Sequence, residues 1–168
     1  MFNAALQDLS QQAGQFLLQR RWMLTTAESC TGGLLAGLLT EIAGSSAYVD
    51  RGFVTYSNDA KIALLGVQAS TLREAGAVSE ACAREMALGA LRVAGAHAAI
   101  STTGIAGPGG ATPGKPVGMV CIGWAWRAED TVRTKVETFL FDGDRQAVRL
   151  ATLQAALHGL LAVEDGAP

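Results

Sequence analysis

Charge is scarce in this chain: 17% of its 168 residues are charged, against a usual share of about 25%. The formal net charge is −2 with a pI near 5.6, which excludes a broad electrostatic grip on nucleic acid. Any phosphate recognised here must be caught locally. Lysine is limited to Lys61, Lys115 and Lys135, and histidine to His97 and His158. Neither histidine lies on a Gly/Ser/Thr-rich loop that would present it, so a Ser-His-Asp arrangement is not expected. The three cysteines, Cys30, Cys82 and Cys121, are odd in number, far apart and without a CxxC pair. That pattern excludes a disulfide framework and a cysteine-rich zinc site, and fits a reduced, cytoplasmic chain. Long hydrophobic runs are missing too. The longest uncharged stretch, Val93 to Gly114, is cut by glycines and Pro108, so no membrane span is expected. The first sixteen residues are amphipathic and lack the basic-then-apolar order of a signal peptide. The expectation is a soluble cytoplasmic protein with no nucleic-acid and no membrane partner.

Small residues fill the space that charge leaves. The chain holds 30 Ala and 20 Gly, and 49% of it is apolar, which excludes a disordered chain. Small side chains let helices approach a sheet closely and let backbone approach a ligand. A domain typically takes roughly 100–200 residues, so residues 1–168 are read as a single domain. At this size folding buries roughly 70% of the unfolded chain's surface, enough for a core without staples.

Periodicity and punctuation predict an alternation of helices and strands. A first amphipathic helix carries Leu6, Leu9, Ala13, Phe16 and Leu17 behind an Asn3 cap. Strands are expected over Trp22 to Ala27, Val49 to Tyr56 and Ala98 to Thr103. Between them, one helix runs from Leu34 to Ile42 and closes at Gly44, a short one holds Lys61 and ends at Gly66, and another lies near Ser70 to Ala75. A longer helix, Glu80 to Ala94, is capped by Ser79 and closed by Gly95. Val117 to Trp126 and Thr131 to Phe141 form a hairpin turning at Glu129-Asp130, and Asp144 to Leu161 is a final helix. The fold class is therefore α/β, a three-layer α/β/α sandwich whose mixed central sheet includes one antiparallel hairpin.

Three loops could carry chemistry. Ser29-Cys30-Thr31-Gly32-Gly33 joins a strand to a helix. Helix-start amides attract anions, glycines admit a ligand, and the hydroxyls of Ser29 and Thr31 can cap, bind or attack. A plain cap with a flexible turn would look the same. Lys61 follows Tyr56-Ser57-Asn58-Asp59-Ala60 at a strand-to-helix junction, the usual edge for an α/β site. A lysine is a poor base in water, yet burial or positive potential brings it toward neutrality. Ser plus Lys, with Tyr56 as a proton relay, could then replace a histidine triad, although a solvated Lys61 paired with Asp59 fits the spacing as well. The third loop, Thr102-Thr103-Gly104-Ile105-Ala106-Gly107-Pro108-Gly109-Gly110, could form an oxyanion hole, hold a sugar phosphate, or be an idle lid. Beyond it, Arg145 and Arg149 sit at i and i+4 behind Phe141-Asp142-Gly143-Asp144. They share a helix face suited to phosphate or carboxylate, or to solvent.

Taken in order, Ala27-Glu28-Ser29-Cys30-Thr31-Gly32-Gly33, Tyr56-Ser57-Asn58 with Lys61, Thr103-Gly104-Ile105-Ala106-Gly107-Pro108-Gly109-Gly110 and Phe141-Asp142-Gly143-Asp144-Arg145 resemble the CinA C-terminal domain family from about Leu6 to Leu161. The resemblance implies a nicotinamide-nucleotide amidase. Such an enzyme converts nicotinamide mononucleotide and water to nicotinate mononucleotide and ammonia, a step in pyridine nucleotide recycling. It also implies a site without metal or cofactor, and a homodimer. Carried over by position, Ser29 is the nucleophile or the group that orients water, Lys61 and Tyr56 are its proton-transfer partners, and Thr103 contacts the reacting carboxamide. Cys30, Thr31, Gly32, Gly33, Asn58, Gly104, Ile105, Gly107 and Arg145 are the implied substrate-binding positions. The rival readings are a non-catalytic nucleotide-binding or sensor module, and an amidase for another carboxamide.

Overall fold

The computed structural model describes residues 2–163. In chain order they form α1 (Ala4–Arg20), β1 (Leu24–Glu28), α2 (Leu34–Thr40), a 3₁₀ turn (Ser45–Ala47), β2 (Val49–Val54), α3 (Asn58–Leu65), α4 (Ala69–Glu74), α5 (Glu80–Ala94), β3 (Ala98–Gly104), β4 (Met119–Ala128), β5 (Thr131–Leu140) and α6 (Arg145–Leu161). The helix starts follow local chemistry. Asn3, Ser57, Ser79 and Asp144 each accept a backbone N–H three residues on, and so satisfy an otherwise orphaned donor. The starts of α3, α5 and α6 thus fall where their cap residues predict.

The sheet order is β2-β1-β3-β4-β5. β2, β1 and β3 are parallel, while β3–β4 and β4–β5 are antiparallel, the second pair being the expected hairpin. One face of the sheet is covered by α1, α2 and α6, the other by α5 with α3 and α4 against it. Side chains divide between the two faces by the period of the strands. Leu24, Ile100, Ile122 and Trp124 belong to the cluster under α1, α2 and α6. Ala27, Ala99 and Ala125 belong to the cluster under α5. This is the mixed three-layer α/β/α arrangement that the sequence predicts.

Small residues are concentrated where α5 presses in. A β-carbon on Gly89 would stand 2.0 Å from the Leu65 carbonyl oxygen, and one on Gly123 would stand 2.7 Å from that of Ala83. Several boundaries differ from expectation, among them that of β4, which runs Met119–Ala128 where Val117 to Trp126 was expected. α2 stops at Thr40, whose hydroxyl donates to the Ala36 and Gly37 carbonyls and competes with continuation of the helix. β1 starts at Leu24, because Trp22 is turned against the Phe16 ring, 6.2 Å between centroids. β2 ends at Val54, because the next two carbonyls face Lys61.

The connections place the site. β1 passes through α2 on one face to β2, and β2 returns through α3, α4 and α5 on the other face to β3, across β1. The carboxyl ends of β1 and β3 therefore flank the point where the winding changes direction, where α/β sheets open a crevice.

Gly89→Ala should destabilise the fold by about 1–3 kcal/mol, since a backbone carbonyl blocks the added carbon. At Gly37 a β-carbon would meet no atom within 4 Å, so Gly37→Ala should be neutral or stabilise by about 0.4–1 kcal/mol. Urea denaturation of the two variants beside the parent checks both signs.

Candidate active site

The Ser29 turn is built by a buried carboxylate. Glu28 ends β1, is fully buried, and directs its carboxylate at the start of α2. Its oxygens accept the amides of Gly33 at 3.0 Å, Leu35 at 3.0 Å and Ala36 at 2.8 Å, with the Thr26 hydroxyl at 3.2 Å. Gly33 caps α2 without a side chain, so Glu28 supplies the acceptor that a cap residue would have given. Gly32 and Gly33, at φ of 58° and 95°, take the left-handed turn between them. The amide of Gly32 is spent on the Ser29 carbonyl at 3.0 Å. The expectation that this helix start is open to a ligand anion is thereby corrected, because the protein's own carboxylate occupies it. The amide of Thr31 has no acceptor among the described residues, and that of Cys30 faces its own thiol.

Ser29 follows Glu28 at the sheet edge, its amide donating to the Thr102 carbonyl at 2.9 Å. From α3, Lys61 reaches it with Nζ 2.9 Å from Ser29 Oγ. The same nitrogen lies 2.7 Å from the Thr55 carbonyl and 3.5 Å from that of Tyr56. Lys61 is 1% exposed, so the solvated, Asp59-paired alternative does not hold. Burial pushes its ammonium below the ordinary lysine range, opposed only by charge on the Cys82 and Cys30 thiols. Those thiols are themselves pushed up by burial, to about 11 and about 12, so they are neutral near pH 7 and offset nothing. A neutral amine has two N–H donors and one lone pair. The two carbonyls can take the donors, which turns the lone pair to the Ser29 hydroxyl within general-base reach.

The other expected residues divide between two places. Thr103 is buried near the end of β3, where its hydroxyl donates to the Ala77 carbonyl at 2.8 Å. Thr31 Oγ1 lies 2.7 Å from Thr102 Oγ1, tying the Ser29 turn to β3. Tyr56 offers Lys61 its carbonyl, while its 62% exposed side chain turns outward and its hydroxyl accepts Arg145 Nη2 at 3.1 Å. Arg145 Nη1 donates to the Gly107 carbonyl at 2.9 Å, so α6 grips the glycine loop. That loop is braced further by the amides of Ile105 and Gly118, which donate to the Met119 and Ile105 carbonyls. Gly104 is closed in by Val120 and the Met119 carbonyl. Asn58 is exposed at the first turn of α3. Cys30 is buried as a protonated thiol, which leaves Ser29 as the nucleophilic group of the turn. His97 accepts the Met23 amide through Nδ1 at 3.0 Å and takes no part here.

Two residues have roles that the sequence alone did not assign. Glu28 left one signal, a carboxylate closing a buried strand just ahead of a helix that begins with glycines. Arg149 shares a helix face with Arg145 as its spacing predicts, but its partner lies far back in the chain. Its Nη2 donates to the Thr31 carbonyl at 2.8 Å.

Known proteins share this arrangement of chain. The model of the CinA C-terminal domain family matches residues 6–163. The chain is 52% identical over 160 residues to nicotinamide-nucleotide amidohydrolase PncC of Enterobacter agglomerans, covering 95% of this chain and 94% of that one. It is also 52% identical to a CinA-like protein of Chlorobium phaeobacteroides, there covering 89% of this chain and 36% of the longer relative. Among solved structures, the competence/damage inducible protein CihA from Agrobacterium tumefaciens superposes with a TM-score of 0.89 at 48% identity, covering 96% of this chain and 97% of that one.

Two outcomes test the geometry. The folded lysine is charged less readily than an unfolded one. Between its lowered pKa and the ordinary 10.5, the unfolded chain therefore binds the extra proton and stability rises with pH. The stability of Lys61→Met relative to the parent should accordingly fall as pH is raised from about 7 to about 10, measured by denaturant titration. Glu28→Gln puts an amide group where four donors converge, and should cost about 1.5–3 kcal/mol while lowering turnover. A variant as stable as the parent would show that the carboxylate is not what holds the turn. The fold and the family model agree across nearly the whole described chain, and the protein belongs to the CinA C-terminal domain family.

Proposed function

We propose that the protein hydrolyses the carboxamide of nicotinamide mononucleotide to nicotinate mononucleotide and ammonia, as part of pyridine nucleotide recycling. The observation that carries this reading is the buried Lys61 amine 2.9 Å from Ser29 Oγ. A binding module has no use for a desolvated amine against a hydroxyl, whereas amide hydrolysis needs both a nucleophile and a proton carrier. The relatives named as nicotinamide-nucleotide amidohydrolases are about half identical to this chain over nearly its whole length, which supports the same substrate.

Lys61 takes the proton of the Ser29 hydroxyl as Oγ attacks the carboxamide carbon. The carbonyl becomes a tetrahedral oxyanion, for which the unspent amide of Thr31 is an available donor, and that of Cys30 another once it turns from its thiol. One such donor is commonly worth about 10²–10³ in rate. Lys61, now an ammonium, passes its proton to the departing nitrogen, and ammonia leaves an ester on Ser29. Water, deprotonated by Lys61, then attacks that ester, and the nicotinate carboxylate departs as Ser29 regains its proton. The two carbonyls that hold Lys61 keep Nζ in place through both cycles. No step calls on a metal or cofactor. Thr103 fixes the loop after α4 through Ala77, and Tyr56 orients Lys61 by its carbonyl and Arg145 by its phenol.

A soluble cytoplasmic homodimer belongs to the same reading. Among the described residues no helix is long and apolar enough to cross a membrane. Val54 of β2 and Ile62 and Leu64 of α3 are apolar and exposed, side chains of the kind that a second copy would cover.

Ammonia release from nicotinamide mononucleotide, measured with a chelator present, should proceed for the parent and fall by about 10²–10⁴ or more in Ser29→Ala and Lys61→Met, both remaining folded. Folded parent protein that binds the nucleotide without releasing ammonia would favour the binding-module reading. Ammonia released only from a different amide would favour another substrate.

A further inference from the structure

One buried hydroxyl beside the reacting groups has no partner. Thr55 is fully buried, yet its Oγ1 meets no hydrogen-bond partner among the described residues. An unpaired polar group inside a folded protein costs stability and calls for an explanation. The other unpaired buried hydroxyl among those residues, that of Tyr48, stands over Gly14 of α1, away from the chemistry. Thr55 lies in the midst of it. Its carbonyl, 2.7 Å from Lys61 Nζ, is the nearer of the two that hold the amine.

The ladder fixes the side on which the hydroxyl lies. The Thr55 amide donates to the Glu28 carbonyl at 2.8 Å and the Ser29 amide to that of Thr102 at 2.9 Å, so the parallel pairing continues past Val54 and Glu28. The register sets Thr55, Ser29 and Thr103 side by side. Val54 and Glu28 both face the start of α2, against Gly33. Alternation therefore sends Thr55 with Ser29 to the opposite face, where Lys61 enters. Three hydroxyls form a row across the sheet edge with the nucleophile in the middle. That of Thr103 is spent on the Ala77 carbonyl. That of Thr55 is unspent.

We infer that Thr55 is a positioning residue for Lys61 in its charged state: when Nζ takes the Ser29 proton, Thr55 Oγ1 accepts an N–H of the ammonium and holds it until the proton passes to the departing nitrogen. No proton leaves Thr55. The inference rests on the amidase reading for the reaction, and on the fold alone for the contact between hydroxyl and ammonium. The neutral amine has two N–H donors, which the Thr55 and Tyr56 carbonyls take. The second carbonyl stands at 3.5 Å, the outer edge of a hydrogen bond. A neutral amine tolerates so weak a partner, and a buried ammonium does not. The hydroxyl and the nearer carbonyl belong to one residue, so rotation about the Thr55 Cα–Cβ bond brings Oγ1 to an amine already fixed beside it. A charged donor makes the stronger bond. The hydroxyl thus stabilises the intermediate more than the resting site, and that difference is what speeds a reaction.

The test uses Thr55→Val, which keeps the shape and removes the hydroxyl, and Thr55→Ser, which keeps the hydroxyl. Both are assayed beside the parent for ammonia release from nicotinamide mononucleotide and for stability in urea. Thr55→Val should be at least as stable as the parent, because the unpaired group is gone. It should nonetheless lose about 10–100-fold in kcat with little change in KM, and Thr55→Ser should recover most of that loss. The hydroxyl favours the charged form of Lys61, so in Thr55→Val the rising limb of kcat/KM against pH should move down by about one pH unit. The titratable side chains that act on Lys61 are Cys82 of α5 and Cys30 of the turn. With thiols pushed up to about 11 and about 12, they stay protonated near neutral pH. Glu28 faces α2, Asp59 is exposed on α3, and the Tyr56 phenol is turned to Arg145. A Thr55→Val variant with the parent's kcat and pH limb would overturn the inference, as would equal losses in the two variants. If the folded parent releases no ammonia, the amidase reading fails by itself. Carbon-13 NMR titration of Lys61, one of three lysines, then decides the contact. A midpoint lower by about one pH unit in Thr55→Val upholds it, and an unchanged midpoint overturns it.

Discussion

Everything at the sheet edge depends on one buried amine. Lys61 is a fully enclosed side chain of the described structure, comparable in burial with Trp124 and Leu24, and an unpaired ammonium in such a place would be strongly disfavoured. The chain resolves this without a carboxylate partner. Two carbonyls just past the end of β2 face the nitrogen, and a hydroxyl completes its surroundings. Because β2 turns the carbonyls of Thr55 and Tyr56 to Lys61 while the Thr55 amide still holds the Glu28 carbonyl at 2.8 Å, the end of the strand, the start of α3 and the position of Ser29 are one arrangement. Moving any of them moves the others.

A buried carboxylate complements the buried amine. Glu28 and Ser29 are adjacent, yet alternation along the strand sends their side chains to opposite faces. Glu28 goes toward α2 and Ser29 toward α3 and Lys61. The carboxylate anchors the turn from one layer, and the amine addresses the nucleophile from the other. The three parallel strands carry this machinery, while the antiparallel β4–β5 hairpin widens the sheet and backs α6. α6 in turn brings Arg145 and Arg149 to the same edge from the Glu28 side.

Much of this was legible in the residues. Cap residues and closing glycines located α3, α5 and α6, since those signals are local and each satisfies a specific backbone group. Ser29, Lys61 and the glycine loop stood out because lysine is scarce in this chain and all three follow the ends of strands. What the sequence did not show was direction. Tyr56 is next to Lys61 in the chain by a helical turn, but its phenol belongs to Arg145 and only its carbonyl belongs to Lys61. Thr103 follows Thr102 in the same motif, yet one hydroxyl meets Thr31 and the other meets Ala77. The role of Glu28 was hidden for a similar reason, since its partners lie on the far side of a turn.

The thiol beside the nucleophile has a consequence for how the protein ages. Cys30 shares the turn with Ser29, and a reactive cysteine there would make the site vulnerable to peroxide and alkylating agents, which attack the thiolate. At 6% exposure, and with its thiol pushed up to about 12, Cys30 presents neither an accessible sulfur nor a charged one. Burial that serves packing thus also leaves the nucleophile's turn redox-silent, with no thiolate there for an oxidant to attack.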